Sequence, residues 1–340
     1  MNGNDGLITV LMTVYNGKEY LSQAIESILN QSYTNFEFLI INEYGSDKDT
    51  TEILKKYELQ DKRIRLIQND TKLGFTASLN KGLALARGKY IARMDPDDVS
   101  VPKRLEIQYH FMEKCPHILM CGGNARLILN DRLTWHYWRY LKKADQIRVS
   151  TLFTCEFIHP SIMFNSALLK KANLTYNENI KTEDYELWSR CVYLYDIANV
   201  GKVLIYYRIH ENNSIKIFKE AIAEATTKVQ QGIFDQFNVD FKLQNRVMEG
   251  AHDIAQLEEL ESALYQLLND NGAVFNNKWV FRNRMDVVYR NTEKNMNLVL
   301  NKQKRFWQKF GNLYDNERYV LKICDMVLFG IKDILWKIFI

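Results

Sequence analysis

The first hundred residues alternate short β-branched apolar runs with amphipathic stretches, and this alternation narrows the fold more than any other feature. "LITVLMTV" (7–14), "FEFLII" (36–41), "IRLIQ" (64–68) and "KYIARM" (89–94) read as strands. Between them "EYLSQAIESILNQS" (19–32), "DTTEILKKYEL" (49–59) and "TASLNKGLALA" (76–86) read as helices, with Gly88 ending the last. The first helix sets Leu21, Ile25, Ile28 and Leu29 on one face, at i, i+4, i+7, i+8 spacing. Such alternation implies an α/β fold, a mostly parallel Rossmann-like sheet with helices on its faces. Ligands of these sheets bind outside the carboxyl ends of the strands.

Past residue 100 the pattern is mixed. Strands are expected near 117–129, 157–164 and 202–209, and helices near 102–114, 144–152 and 183–195. From about 214 the chain is helix-rich and nearly free of Gly and Pro, with one break at "NDNGAVFNN" (269–277). At 340 residues the chain is long for one core, so residues 1–214 are expected as the α/β domain and 215–340 as a helical region.

"IARMDPDDVSVP" (91–102) packs Asp95, Asp97 and Asp98 into four positions at the end of a strand. A turn with a helix cap at Asp98 or Ser100 explains one acid. Three so close repel unless a divalent cation joins them, and hard oxygen ligands suit Mg²⁺ or Mn²⁺ bridging to a diphosphate. An EF-hand fails at its middle, where Val99, Ser100 and Pro102 occupy positions that need a ligand, a glycine and an open chain. A dehydrogenase or a pyrophosphorylase would need a glycine-rich phosphate loop after the first strand, and "TVYNGKEY" lacks one. The net charge of +4 is small for this length and argues against a nucleic-acid partner. Five cysteines without a C-x-x-C pair read as thiols of a reducing compartment. No signal peptide and no spanning segment is legible, so a cytoplasmic protein is expected, or one peripheral on the inner face of the cell membrane.

Six segments together resemble the family 2 glycosyltransferases of the GT-A (nucleotide-diphospho-sugar transferase) fold, in the family's order. They are "VLMTVYNG" (10–17), "NQSYTNFEFLIINEYGSDKDT" (30–50), "GFTASLNKGLALARGKYIARMDPDD" (74–98), "HPSIMF" (159–164), "TEDYELWSR" (182–190) and "YRIHENNS" (207–214). The likeness runs over about residues 7–214 and does not cover 215–340. It implies a metal-dependent, inverting hexosyltransferase of surface-polysaccharide synthesis. Its donor would be a nucleotide-diphosphate sugar, best a UDP-sugar, and its acceptor a glycan or lipid-linked glycan.

The resemblance also implies residue roles. Thr13, Tyr15 and Asn16 line the nucleotide pocket, with Tyr15 near the base, and Asn80 joins the donor set. The family's second strand ends Asp-Asp-Gly-Ser, whose acids address uracil; this chain has Glu43-Tyr44-Gly45-Ser46, keeping the first acid and replacing the second. Asp95 and Asp97 are the D-x-D pair. Asp97 would bind Mn²⁺ or Mg²⁺ directly, while Asp95 would hold the ribose or reach the metal through water. Asp98 would assist or cap, and His210 would close over the metal or diphosphate. Asp184 is the expected catalytic base with Glu183 as runner-up, although two acids also suit a helix's first turn. The altered Glu43-Tyr44 pair keeps open a degenerate scaffold or partner subunit of an active transferase.

On the acceptor side, His159 stands in a family-like motif, with a structural histidine as the bland alternative. "TWHYWRY" (134–140) offers Trp135 and Trp138 as a sugar platform, or else as core packing. At the end of the chain "KQKRFWQK" (302–309) is basic, and "VLKICDMVLFGIKDILWKIFI" (320–340) is amphipathic as a helix. That pairing suits an anionic membrane surface, or a helix packed on its own domain or in a homo-oligomer.

Overall fold

The computed structural model describes residues 6–211, 213–251 and 253–292. The "KQKRFWQK" and amphipathic segments lie outside them. The chain forms two compact units, the first ending at His210 and the second beginning at Glu211.

The first unit opens with three β–α repeats and a fourth strand: β1 (Ile8–Val14), α1 (Lys18–Leu29), β2 (Phe36–Asn42), α2 (Lys48–Gln60), β3 (Ile64–Gln68), α3 (Phe75–Leu85) and β4 (Tyr90–Met94). It continues with β5 (Val99–Ser100), α4 (Arg104–Lys114), β6 (Met120–Leu129), β7 (Arg132–Trp138), α5 (Ala144–Ser150), β8 (Met163–Asn165), α6 (Ser166–Lys171), α7 (Glu183–Leu194) and β9 (Ile197–Ile209). All nine strands join one sheet in the order β3-β2-β1-β4-β8-β6-β9-β5, with β7 on the side of β6. The β3–β2–β1–β4 half is parallel; β8 pairs antiparallel to both β4 and β6. Every residue of β1 and β4 is buried, the signature of strands covered on both faces. The core runs through Val10, Met12, Phe38, Ile40, Ala92 and Met94, with Leu21, Ile25 and Ile28 of α1 packed on it.

The expected β–α order is what forms, and the differences have local causes. The strand expected at 157–164 is split: Pro160 sits in a 3-10 turn (His159–Ser161), and only Met163–Asn165 pairs. Gly88 is not the cap of α3, which ends at Leu85 with Ala86 extended. Its role is close approach, because a Cβ there would lie 2.4 Å from the Thr9 backbone nitrogen. Gln31 is buried and bonds three backbone groups, donating to Val101 O and Ser27 O and accepting from Leu105 N. It ties the end of α1 to the segment that follows the acid cluster. Of the described cysteines, Cys121 and Cys191 are buried, Cys115 and Cys155 half-buried, and no disulfide joins any two of these four.

The second unit contains α8 (Ser214–Ile217), α9 (Lys219–Gln236), α10 (Ile254–Asp270) and α11 (Lys278–Asn291). Leu257, Leu264, Phe275, Phe281 and Met285 are buried within it. Among the described residues no helix is long and apolar enough to cross a membrane.

Candidate active site

The acid cluster occupies the turn between β4 and β5, and β5 pairs with β9 through Val99–Tyr206 and Ser100–Ile205. One carboxylate oxygen from each of Asp95, Asp97 and Asp98 lies within 4.8 Å of the others. Asp98 is buried, and its Oδ1 accepts the backbone N–H of Arg208 at 2.8 Å. Its Oδ2 is buried with no hydrogen-bond partner among the described residues. Asp97 Oδ2 lies 2.9 Å from His210 Nε2. Burial raises the Asp98 carboxyl well above its ordinary range, and the Asp97 and Asp95 charges raise it further. Asp95 is pushed up to about 6 by burial and by Asp97, against the pull of Arg93. The cap expected at Asp98 or Ser100 does not form. Helix α4 begins after Lys103 without a side-chain cap, Asp98 turns to Arg208, and Ser100 Oγ accepts from Gln31. Three carboxylates crowded into one turn, one with an orphan buried oxygen, fit a hard cation.

Arginines that sequence reasoning passed over hold this turn. Arg93 lies on β4 two residues before Asp95, which follows the strand's last residue, and forms an ion pair with it. The guanidinium is buried, with its Cζ 5.6 Å from the Phe75 ring centroid. Arg104, also buried, donates to the Arg93 and Ile162 carbonyls and braces the end of β4. Burial lowers its pKa to about 9. Arg208 Nε donates to Asp97 O at 3.0 Å, its other nitrogens meet Asp131 and Gln23, and its Cζ stacks 4.1 Å from the Tyr20 ring centroid. The turn bearing the acids is therefore fixed to β9, to α1 and to the tip of the β6–β7 hairpin.

Glu183 and Asp184 open α7. Burial lifts Asp184 above the usual aspartate range, while the Tyr185 N–H, donating to its Oδ1 at 2.7 Å, and the Arg93 charge hold it back. Glu183 is pushed up to about 8 by burial and by the neighbouring Asp184 charge. Arg93 acts on both acids, and Asp95 acts on Glu183, so the D-x-D end of β4 and the start of α7 belong to one electrostatic site. His159 is buried at its edge, its Nε2 2.8 Å from the Tyr176 hydroxyl and its Nδ1 3.8 Å from Glu183 Oε1. Burial and Arg93 lower its pKa well below the ordinary value, so the imidazole is neutral and the contact with Glu183 is not an ion pair. It packs edge-on against Phe75 and Trp188.

At the carboxyl ends of the neighbouring parallel strands β1 and β2 the residues expected at the nucleotide divide. Thr13 is buried on β1, and Tyr15 just beyond it is 52% exposed, with Lys72 Nζ 5.5 Å from its ring centroid. Tyr44, which replaces the family's second acid, is 54% exposed. A cavity of about 660 Å³ adjoins it, lined by Ser46, Lys55, Gln68, Asn69 and Asp70. Asn16, in the left-handed region at φ 60°, gives its amide oxygen to Asp47 N. Asn80 is taken up structurally: its amide donates to Tyr176 O and Glu178 and accepts from Tyr176 N. Glu43 points inward. It is buried and accepts from the backbone of Tyr44, Leu73 and Gly74 and from Asn69 and Ser78. Burial raises its pKa, but these donors outweigh burial and hold it below the usual value. Glu43 thus organises the loop into α3, a role that the resemblance did not suggest.

That geometry sets the effect of neutralising it. A group with a depressed folded pKa stabilises above its unfolded pKa, and the benefit is lost as pH falls through the folded value. Glu43→Gln is expected to cost about 2 kcal/mol at pH 7, with a shrinking difference from wild type below pH 4. Chemical denaturation at several pH values measures this.

The aromatic segment is not a connection but strand β7. Leu133, Trp135 and Tyr137 face outward, with Trp135 83% exposed; Trp138 turns the other way, its ring centroid 5.0 Å from that of Tyr207. The two tryptophans therefore do not share a face.

This sheet, with acids at the end of β4 and at the start of α7, has the fold of the GT-A nucleotide-sugar transferases. The S. aureus TarS structure of residues 1–349 with UDP-GlcNAc superposes with a TM-score of 0.55 at 16% identity, covering 93% of this chain and 94% of that one. The chain spans 56% of a longer TarS chain. The family model for glycosyl transferase family 2 matches residues 9–172. An uncharacterized glycosyltransferase of Methanocaldococcus jannaschii, MJ1057, is 39% identical over 209 residues, which are 60% of this chain and 71% of that protein. The Escherichia coli O-antigen biosynthesis glycosyltransferase WbnJ is 32% identical over 218 residues (62% and 82%). A second E. coli protein, the UDP-Glc:α-D-GlcNAc-diphosphoundecaprenol β-1,3-glucosyltransferase WfgD, is 28% identical over 220 residues (64% and 83%). The chain belongs to glycosyltransferase family 2 and is a transferase enzyme with surface-polysaccharide relatives.

Proposed function

We propose that this chain is a metal-dependent inverting glycosyltransferase, moving a sugar from a UDP-sugar to a lipid-linked or growing surface glycan at the inner face of the cell membrane. The observation that carries the reading is the three-carboxylate turn, with the orphan oxygen of Asp98, sharing one electrostatic site with Asp184. Asp97 and Asp95, with Asp98 and His210 beside them, would hold Mn²⁺ or Mg²⁺. When bound, the cation stabilises the charge gathering on the departing diphosphate.

The rest is work for side chains. Tyr15 offers a ring to the base, and Lys72 above it offers a charge to the nucleotide. Asp184 takes the proton from the acceptor hydroxyl as that oxygen attacks the anomeric carbon from the face opposite the diphosphate, giving a β-linkage from an α-linked donor. Its raised pKa brings it nearer the working pH, where a base is most effective. Glu183, protonated at neutral pH by its own shift, is the poorer base. Arg93 fixes Asp95 and sets the field on both acids. Relatives support the finer points: WfgD takes UDP-Glc and a diphosphoundecaprenol-linked acceptor and makes a β-1,3 bond, and TarS binds UDP-GlcNAc.

A thermal-shift series with UDP, GDP and ADP, each with and without Mn²⁺, tests the reading. Stabilisation is expected from a nucleoside diphosphate only together with Mn²⁺, largest for UDP and growing as RT ln(1 + [L]/Kd). A protein indifferent to every nucleotide would be a scaffold, not a transferase of this kind.

A further inference from the structure

Strand β7 lies on one side of β6 and carries a row that a soluble edge strand does not normally display. Leu133, Trp135 and Tyr137 alternate onto one exposed face, and a strand spaces such neighbours about 7 Å apart, on the scale of one sugar residue. Arg126 of β6 lies across that row. Its Nε is tied to the Thr134 carbonyl, and its Cζ is 4.8 Å from the Trp135 ring centroid and 5.7 Å from that of Tyr137. Among the described residues its two terminal nitrogens bond no acceptor. Arg139 approaches Tyr137 at 5.9 Å from the other end. Exposed Arg132, Lys142 and Lys143 extend the positive charge along the same hairpin and just past it. The one acid at the hairpin tip, Asp131, is already neutralised by Arg208.

From these contacts we propose that β7 is the acceptor platform and that it is built for an acidic glycan, one bearing carboxylates on its sugars. The inference rests on the transferase reading above and names the class of its acceptor. Aromatic faces take the apolar faces of sugar rings, and a guanidinium held beside two rings presents paired N–H donors to a carboxylate. A neutral glycan would leave those donors and the surrounding charge unanswered. Position agrees with this use. The tip at Asp131 is clamped by Arg208, whose Nε donates to the Asp97 carbonyl, so the hairpin that carries β7 is tied to the acid cluster. Trp135 carries the row; Trp138, turned onto Tyr207, does not belong to it.

Tryptophan-fluorescence titration of the full chain with hexagalacturonate and with maltohexaose, without donor, tests this directly. The acidic hexamer is expected to bind at least tenfold tighter. Trp135→Ala should weaken it about tenfold, and the high exposure of that ring leaves the fold untouched. Arg126→Gln should erase the preference for the acidic hexamer while leaving the neutral one as before. Both variants should retain wild-type release of nucleoside diphosphate by donor hydrolysis in Mn²⁺, a readout that would fail on its own if the transferase reading were wrong. Equal affinity of wild type for the two hexamers would overturn the proposal. So would acidic binding unchanged by Trp135→Ala, or a Trp135→Ala variant that turns a dimer into a monomer, which would make the strand a contact between copies.

Discussion

Asp184→Asn is expected to lower sugar transfer by at least a hundredfold while donor and Mn²⁺ affinities stay within about threefold of wild type. Positioned general bases contribute about 10²–10⁴ in rate, and an asparagine of the same shape removes the base without opening a cavity. The asparagine side-chain oxygen still accepts the Tyr185 N–H that holds Asp184 in place, so the start of α7 survives. The pH dependence follows from the same residue. Burial raises Asp184, so transfer should fall as pH drops through a value above the ordinary aspartate range, because the protonated acid cannot accept the acceptor's proton. In Asp184→Asn that acidic limb of kcat/KM should vanish. Glu183→Gln makes the comparison decisive. With its pKa pushed up to about 8, Glu183 is mostly protonated at neutral pH, and glutamine mimics that form, so a loss of less than tenfold is expected. The reverse ranking of the two variants would move the base to Glu183. Transfer by Asp184→Asn above a tenth of wild type, with donor and metal saturating, would remove Asp184 from the mechanism.

How much of this site could be read from the sequence depended on how local each cause was. The parallel half of the sheet was legible, because β1, β2 and β4 are apolar runs bounded by amphipathic helices and are buried accordingly, with β3 the half-buried edge. The acid cluster was legible too, as three like charges at a strand's end. Strand β7 was not recognised because its one β-branched residue is Thr134 and its run of rings was read as a binding or packing segment, although aromatics also favour strands. The two-residue β5 is too short for any pattern. Arg208 could not be connected to Asp97 by inspection, since the hydrogen bond spans 111 positions. Glu43 was read as a ligand of the base because its place in the motif invites it; only the three-dimensional loop shows five donors already turned toward it. Arg93 is a different case. It precedes Asp95 by two at the end of a strand, and an extended chain carried one residue further brings both side chains to one side.

Asp97→Asn should give two opposite effects, and their combination is more informative than either. Transfer and donor hydrolysis at fixed Mn²⁺ should fall about a thousandfold, the several kcal/mol that electrophilic stabilisation of a leaving group supplies. The metal-free protein should become more stable. Asp95, Asp97 and Asp98 crowd within 4.8 Å, and the Asp97 charge is among the causes that raise the other two. Removing it relieves a repulsion that only a bound cation or taken-up protons otherwise relieve. The sign can be followed through pH. Because Asp95 is raised to about 6, the folded protein holds more protons than the unfolded chain between about pH 4 and 6, so apo stability declines as pH rises through that window. In Asp97→Asn that decline should be shallower. Calorimetry without metal should show a melting temperature a few degrees above wild type at pH 7.5, at about 2–4 °C per kcal/mol for a domain of this size. Adding Mn²⁺ and UDP should then raise wild type and leave the variant where it was. Asp98→Asn is the control for position: asparagine can still accept the Arg208 N–H, so the turn stays attached to β9 while the orphan oxygen becomes a group that no longer draws a cation. If Asp97→Asn destabilised the metal-free protein as well as inactivating it, the His210 contact would be the reason for Asp97's place. The three acids would then be a structural network and not the seat of a cation.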